Sequence, residues 1–490
     1  MRRTFLAALA ALAITLVALY SYRELWQRPF AADDYQWLLN VRGLGATALL
    51  RAAFDPAAQT HFFRPLVWLL FGAQVRAFGL DPRGFHAVSL ALHLLNAGLL
   101  GWLAYRLTNG QRPSAKGESA PSFTSGLAPA VVAAGIVALH PAPFEAVVWV
   151  SAQSELLAAA LLLLALHLWL PGRAGAPGPV SPRLLAATLA LGLALLAKES
   201  AVIGLPLLVL LGACAPGTRL PAGAPRARLA PYLLPTLLTL AYAGVQALVE
   251  RRNYLLRQGG YGLGPQLLLN PLRSLALLAA PLPGTEHAEN AWLVPAGALV
   301  ALLLLALLAA ALRRDGPRGP LVLALLALGL TLLPTAPFAS PPDSRYLYLP
   351  ALAAALLVAL LLRRARSAAP QPAPRPLAAG AWLLALGAVV LALWAGGELH
   401  AREARFAAGA GPGGSLWRLA ADVCARQPPA RMLLVDPPLA APHAEAIVRL
   451  ACGPRVRPQI VGRDQLAGAL KPRSVVVAFP NGSATVERTT

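Results

Sequence analysis

The chain has 490 residues, 57% of them hydrophobic and only 13% charged, with a mean hydropathy of +0.59, which excludes an ordinary soluble composition and marks a polytopic membrane protein. A net charge of +21 would suggest nucleic acid in a soluble chain, but here the basic residues fall mainly in short loops between apolar runs, where they act first as topology signals.

Arg2 and Arg3 precede the first apolar run, residues 4–20. No small-x-small cleavage site follows it, so it reads as an uncleaved helix. A membrane span needs about 20 apolar residues. Further candidates are residues 85–107, 127–139, 147–170, 184–198, 201–215, 232–249, 292–312, 320–335, 346–362 and 377–396. These predict an all-α polytopic membrane domain over residues 1–397 with about eleven helices, several near the short limit.

Lys and Arg mark the cytoplasmic ends of spans. Arg2 and Arg3, then Arg106, Arg112 and Lys116, then Arg173 and Arg183, then Arg219, Arg226 and Arg228 occupy alternate loops. Arg313, Arg314 and Arg318, then Arg363, Arg364, Arg366 and Arg375 continue in phase. This predicts a cytoplasmic N-terminus, in an inner membrane or plasma membrane. The opposite, outer loops hold nearly all the acids and histidines.

The first outer loop carries FAADDYQWLLN, with Asp33 and Asp34 adjacent, and then His61 and Arg64. Acids just outside a span usually face a cavity or a partner, although such a pair also caps loop helices. HPAPFEAVVWV adds His140 and Glu145, ALLAKESAV adds Lys198 and Glu199, and PPDSRYLYLP adds Asp343, Arg345, Tyr346 and Tyr348. A long outer loop begins at Glu250, Arg251 and Arg252 and contains an apolar segment, residues 266–282, suited to lying along the membrane. Each group also has a local reading: His140 as a helix-end cap, Lys198 paired with Glu199, Arg345 snorkelling beside interfacial tyrosines. His86 and His93, seven apart with Asn96 nearby, share a helical face, which suits packing or substrate hydrogen bonding better than a metal.

Residues 398–490 predict a small periplasmic α/β module. A glycine-rich linker, AAGAGPGGS, precedes strand-like RMLLVDPP, RPQIVGR and SVVVAFP, alternating with helical HAEAIVRLAC and DQLAGAL. It carries no GxGxxG and no Walker loop, so nucleotide binding is not indicated. Cys424 and Cys452 lie in this module, where an oxidising compartment would allow pairing.

FAADDYQWLLN, FFRPLVWLLFGAQVRAFGLDPRGFHAVSLALHLLNAG, LHPAPFEAVVWVSAQSELLAAALLLLAL, LALLAKESAV and SRYLYLPALA resemble the membrane half of the transmembrane-and-tetratricopeptide O-mannosyltransferases and their bacterial relatives, over roughly residues 25–360. The resemblance implies a GT-C glycosyltransferase that moves a sugar, a hexose such as mannose, from a polyprenyl-phosphate donor to a protein, lipid or glycan acceptor on the outer face. It implies inverting chemistry with an acidic base in the first outer loop, Asp34 or, as the second choice, Asp33. The other matching residues are Arg64 with Pro65, His140 with Glu145, Lys198 with Glu199, and Arg345 with Tyr346 and Tyr348, a donor-phosphate and substrate set to which His86 is added. No cofactor and no metal are expected, although an Asp pair leaves room for a divalent ion, and the partners are the lipid-linked donor, the acceptor and membrane lipids, not nucleic acid. The chain departs from the family at Ser344, where a glutamate is common, at Ser89, where asparagine is expected, and in lacking a 34-residue repeat after the last span. The competing class is a lipid or glycan transporter, which would place binding groups at the bilayer midplane in two repeated halves.

The alternating arginines generate a topology test. Cysteines introduced near Asp55 and Gly409 should label from outside, and those near Arg112 and Gly319 only after permeabilisation. The reverse pattern would remove the proposed outer site.

Overall fold

A computed structural model describes residues 2–59, 62–109, 123–170, 181–215, 225–251, 259–283, 290–313, 319–368 and 377–489. Among the residues singled out above, His61, Arg112, Lys116, Arg173, Arg219, Arg252, Arg314, Arg318 and Arg375 lie outside these.

Up to residue 426 most of the described residues are helical. In order come α1 (Arg2–Ser21), α2 (Asp34–Val41), α3 (Ala46–Phe54), α4 (Pro65–Phe78), α5 (Pro82–Asn109), α6 (Phe123–Leu139), α7 (Glu145–Val148), α8 (Gln153–Trp169), α9 (Pro182–Ala197) and α10 (Gly204–Cys214). They are followed by α11 (Pro225–Glu250), α12 (Gln266–Ala279), α13 (Leu293–Arg313), α14 (Gly319–Leu332), α15 (Tyr348–Ala368) and α16 (Leu377–Arg426). Five described helices are long and apolar enough to cross a membrane, at residues 82–108, 150–169, 229–250, 293–313 and 344–364, and shorter apolar helices accompany them. One of the shorter ones, α4, is absent from the predicted spans. Its 14 residues cover about 21 Å at 1.5 Å per residue, short of a hydrocarbon core of about 30 Å.

Burial distinguishes the inner helices from the outer ones. α8, apolar around its whole circumference, has Leu156, Ala158, Ala159, Leu162 and Leu163 buried, as expected of a helix surrounded by others. α13 instead leaves Leu299, Leu302, Leu303 and Leu305 between 57% and 64% exposed, a surface suited to acyl chains. α12 and α13 approach backbone to backbone. A Cβ at Gly297 would stand 1.8 Å from the Leu272 carbonyl oxygen, so glycine alone permits this crossing.

The tail corrects one sequence expectation. The glycine-rich stretch 407–414 is not a linker, because α16 runs through it as one continuous helix to Arg426. The helix is held there by burial: Gly413 and Gly414 pack against Tyr35 and Pro29, and Leu416 and Ala420 are fully buried. Tertiary packing overrides the low helix propensity of glycine. Beyond it, β1 (Arg431–Val435), β2 (Arg457–Val461), β3 (Ser474–Ala478) and β4 (Thr485–Thr489) form one sheet in the order β2-β1-β3-β4, with α17 (Ala441–Cys452) and the single turn α18 (Leu466–Ala469) between strands. β1 pairs parallel with both β2 and β3, and β4 runs antiparallel to β3. The three strands read from sequence are all present. β4, TVERT, was not anticipated; it is exposed and charged, which suits an edge.

The sheet module shares a core with the segment that joins α1 to α5. Phe30, Tyr35, Leu38, Val67 and Phe71 cluster with Leu416, Met432, Leu434 and Ile447. Cys424 at the end of α16 is bonded to Cys452 at the end of α17.

That bond joins residues 28 apart, and closing a loop of this length stabilises by about 3–4 kcal/mol on the chain-entropy estimate. Replacing both cysteines with serine should therefore expose the module to proteolysis at a lower temperature than the wild type. An unchanged cleavage profile would assign its stability to the shared core alone.

Candidate functional site

The site begins at the turn before α2. Ala32 adopts a φ of 44°, a region an alanine occupies only when its surroundings demand it, and this turn sends the side chains of Asp33 and Asp34 in different directions. Asp34 is 1% exposed. Its Oδ2 accepts from the Ala31 backbone N–H at 2.8 Å, and its Oδ1 accepts from the Ser151 backbone N–H at 2.7 Å and from the Ser151 hydroxyl at 2.5 Å. Burial pushes its pKa up to about 7, against the pull of these hydrogen bonds. Because the folded value is raised, the stability this group contributes is full below about 4 and is lost as pH rises through about 7. Asp33, with its side chain 48% exposed, meets His443 Nε2 at 2.8 Å. Neither acid makes a helix-capping bond to α2.

Four cations, three of them predicted for the site, are matched with acids from other parts of the chain or nearby. Arg64 grips Glu199 with two prongs, Nε to Oε2 at 2.8 Å and Nη2 to Oε1 at 2.7 Å. Phe63 beside it is held by α11, where its N–H donates to Gln246 Oε1. Lys198 does not pair with the adjacent Glu199; it forms a buried ion pair with Glu155 of α8, and both side chains are under 5% exposed. Arg345 contacts Asp343 at 2.7 Å and Glu145 at 3.7 Å. Its backbone N–H donates to Glu145 Oε2. The fourth, Arg402 of α16, pairs with Glu398 and also donates to the Pro281 and Leu282 carbonyls; sequence reasoning had not singled it out.

Three other predicted residues line neither of the two cavities described below. His140 donates from Nε2 to the Leu278 carbonyl and accepts at Nδ1 from the Ala142 N–H, joining the end of α6 to the end of α12. Burial lowers its pKa to about 4, so it stays neutral. Tyr348 is 1% exposed and bonded through its hydroxyl to His93 and Asn96. His86 is buried near the start of α5 and lines neither cavity described below.

Two cavities flank Arg345. The first, about 310 Å³, is lined by Glu155, Lys198, Glu199, Glu250 and Tyr346 on an otherwise apolar wall that includes Val202, Phe338 and Leu349. Its far side is a loop crossing: Tyr261 pairs with Phe338, and Asn270, fully buried on α12, donates to the Phe338 carbonyl at 2.8 Å. The second, about 380 Å³, is lined by Tyr35, Phe144, Trp149, Phe406, Glu145 and His443, with Ala31 and Ala32 at the loop. The Arg345 guanidinium stacks 4.5 Å from the centre of Trp149 and 4.6 Å from that of Tyr346. The guanidinium therefore stacks on one aromatic ring from the wall of each cavity. Among the described residues no group of three or more metal-ligating side chains converges.

Glu155, Trp149 and His443 were missed. Glu155 had a signal, a lone acid inside an apolar helix; Trp149 and His443 had none, because only the fold brings them to Arg345 and Asp33.

A buried pair is strongly destabilised when one partner is removed, typically by about 3–5 kcal/mol, because the other charge is stranded. Lys198→Met should lower the melting temperature sharply, and adding Glu155→Gln should recover most of the loss. A double variant no better than the single would show that the pair carries little of the packing energy.

No protein-family model matches the chain, and no curated protein matches it by sequence. Among solved structures, ArnT from Cupriavidus metallidurans bound to undecaprenyl phosphate aligns with 98% of this chain and 93% of its own, at 16% identity and a TM-score of 0.50. The apo form of that ArnT aligns over 98% of this chain and 94% of its own, at 14% identity and a TM-score of 0.43. The first alignment, taken with the helical architecture and the small terminal sheet, gives the chain the same polytopic membrane fold as that ArnT.

Proposed function

We propose that this protein transfers a sugar, a hexose such as mannose by its family resemblance, from a polyprenyl-phosphate donor to a hydroxyl-bearing acceptor. The observation that carries this reading is the pair of cavities separated by Arg345. The fold likeness to an ArnT crystallised with undecaprenyl phosphate supports the donor class.

The first cavity suits the donor. Its apolar wall accepts prenyl carbons, and Lys198 projects three donors of which Glu155 occupies one. Arg345, held by Glu145 and Asp343, adds an oriented guanidinium. Donors fixed in advance around the leaving phosphate stabilise charge that grows as the glycosidic bond breaks, and cost no reorganisation during the step. The second cavity suits the acceptor, with Trp149, Phe406 and Tyr35 as apolar faces and Glu145 as a hydrogen-bond acceptor.

In the reaction the acceptor oxygen bonds to the anomeric carbon from the face opposite the phosphate. The carbon–oxygen bond to phosphate breaks, polyprenyl phosphate departs, and the acceptor proton passes to a carboxylate. The geometry supports Asp33 as that base rather than Asp34. A base must come within hydrogen-bond reach of the proton it takes; Asp33 is half exposed beside a residue lining the acceptor cavity, whereas Asp34 is sealed and bonded at both oxygens. Asp34 then positions the turn that presents Asp33.

The test uses purified protein in liposomes with labelled polyprenyl-phosphate mannose. Asp33→Asn should cut transfer by about 10²- to 10⁴-fold, with donor binding and thermal melting near wild type. Asp34→Asn should lower the melting temperature as well as transfer. Full transfer by Asp33→Asn would remove it as base, and no transfer by the wild type from any polyprenyl-phosphate hexose would overturn the donor class.

A further inference from the structure

A third cavity, about 490 Å³, lies apart from the two that flank Arg345, between the turn Arg23–Gln27 after α1, the start of α5 and the glycine run of α16. Arg28, Arg83 and Arg418 line it, and Asp81 is the one acid in its wall. The site cations Arg64, Lys198, Arg345 and Arg402 are each ion-paired. Arg28, Arg83 and Arg418, in contrast, form no ion pair among the described residues. The Arg28 Nε is buried with no acceptor, and Asp81 already accepts from the Arg83 backbone N–H at 3.0 Å. Arg28 also faces the buried Glu403, whose carboxyl is kept mostly protonated by burial, with a pKa raised to about 8, so the cavity wall keeps an excess of positive charge that an anion would offset, and a buried donor is costly to leave unpaired.

The shape of the guanidinium fork points to phosphate oxygens. The location points to a lipid: the cavity sits at the end of a long apolar span, residues 82–108, and its wall includes Trp26, 39% exposed, the residue type enriched at the membrane–water boundary. We propose that this cavity binds the phosphate headgroup of an anionic membrane lipid. The site is separate from both reaction cavities and independent of the function proposed above.

Native mass spectrometry of the intact purified protein tests it, titrating phosphatidylglycerol, phosphatidylcholine and inorganic phosphate in parallel. Phosphatidylglycerol should be retained in preference to phosphatidylcholine. Arg28→Gln with Arg418→Gln should weaken that retention by at least about 10-fold, the scale of one lost charge-assisted hydrogen bond. Arg83 and Arg418 are exposed, so Arg83→Gln with Arg418→Gln supplies a second variant whose fold is checked by melting should Arg28→Gln misfold. Equal retention of both lipids, or unchanged retention in a folded variant, would overturn the proposal. Inorganic phosphate bound as tightly as phosphatidylglycerol would overturn the lipid source and leave a free phosphate as the ligand.

Discussion

The hydrogen bonds that Asp34 accepts from Ala31 and Ser151 hold the first outer loop against the entry to α8. Other contacts depend on that clasp. Ala31 also accepts from Trp149 Nε1 at 3.2 Å, which sets the indole against which Arg345 stacks. Asp33, the next residue along, reaches the tail module through His443. A carboxylate taken out of water is tolerable only when its oxygens are bonded, so the clasp is bonded at both oxygens and the loop around it has little freedom.

The ion pairs follow the same physics at greater depth. Moving a charge into a low-dielectric interior is costly, and the pair that results is rarely more stable than apolar residues of the same volume. Glu155 fixes Lys198 at the wall of the first cavity, and Glu199 of the same wall grips Arg64. Arg345 combines both devices, being held by carboxylates on one side and stacked between Trp149 and Tyr346. Arginine suits this position because a planar guanidinium stacks and donates at once.

The tail is continuous with the membrane domain rather than hung from it. α16 passes straight through the glycine run because both of its faces are in use there: Gly409 and Gly413 line the cavity beside Trp149, while Gly411 and Gly414 line the arginine-rich one. Small residues let a helix pass between two cavities without filling either. The disulfide and the core shared with α2 and α4 then hold the sheet module against the loop after α1, so that α17 supplies His443 to Asp33.

Composition and the spacing of apolar runs were enough to read the membrane class, most of the helices and three of the four strands of the tail, since these depend on local periodicity and burial. The charged motifs were legible in part: Glu145, Lys198 and Glu199 line two cavities, and Asp33, Arg64 and Arg345 contact residues of their walls, because charges at the ends of apolar helices have few other places to go. Their pairings were not legible. Lys198 looked like a partner for Glu199 and instead joins Glu155, His140, Tyr348 and His86 line neither of the two cavities, and the two adjacent aspartates separated into a sealed clasp and an exposed neighbour of His443. Sequence order carries residue type and helical phase, but an ion pair across 135 residues or a contact across 410 depends on how helices pack, and only the tertiary structure determines that.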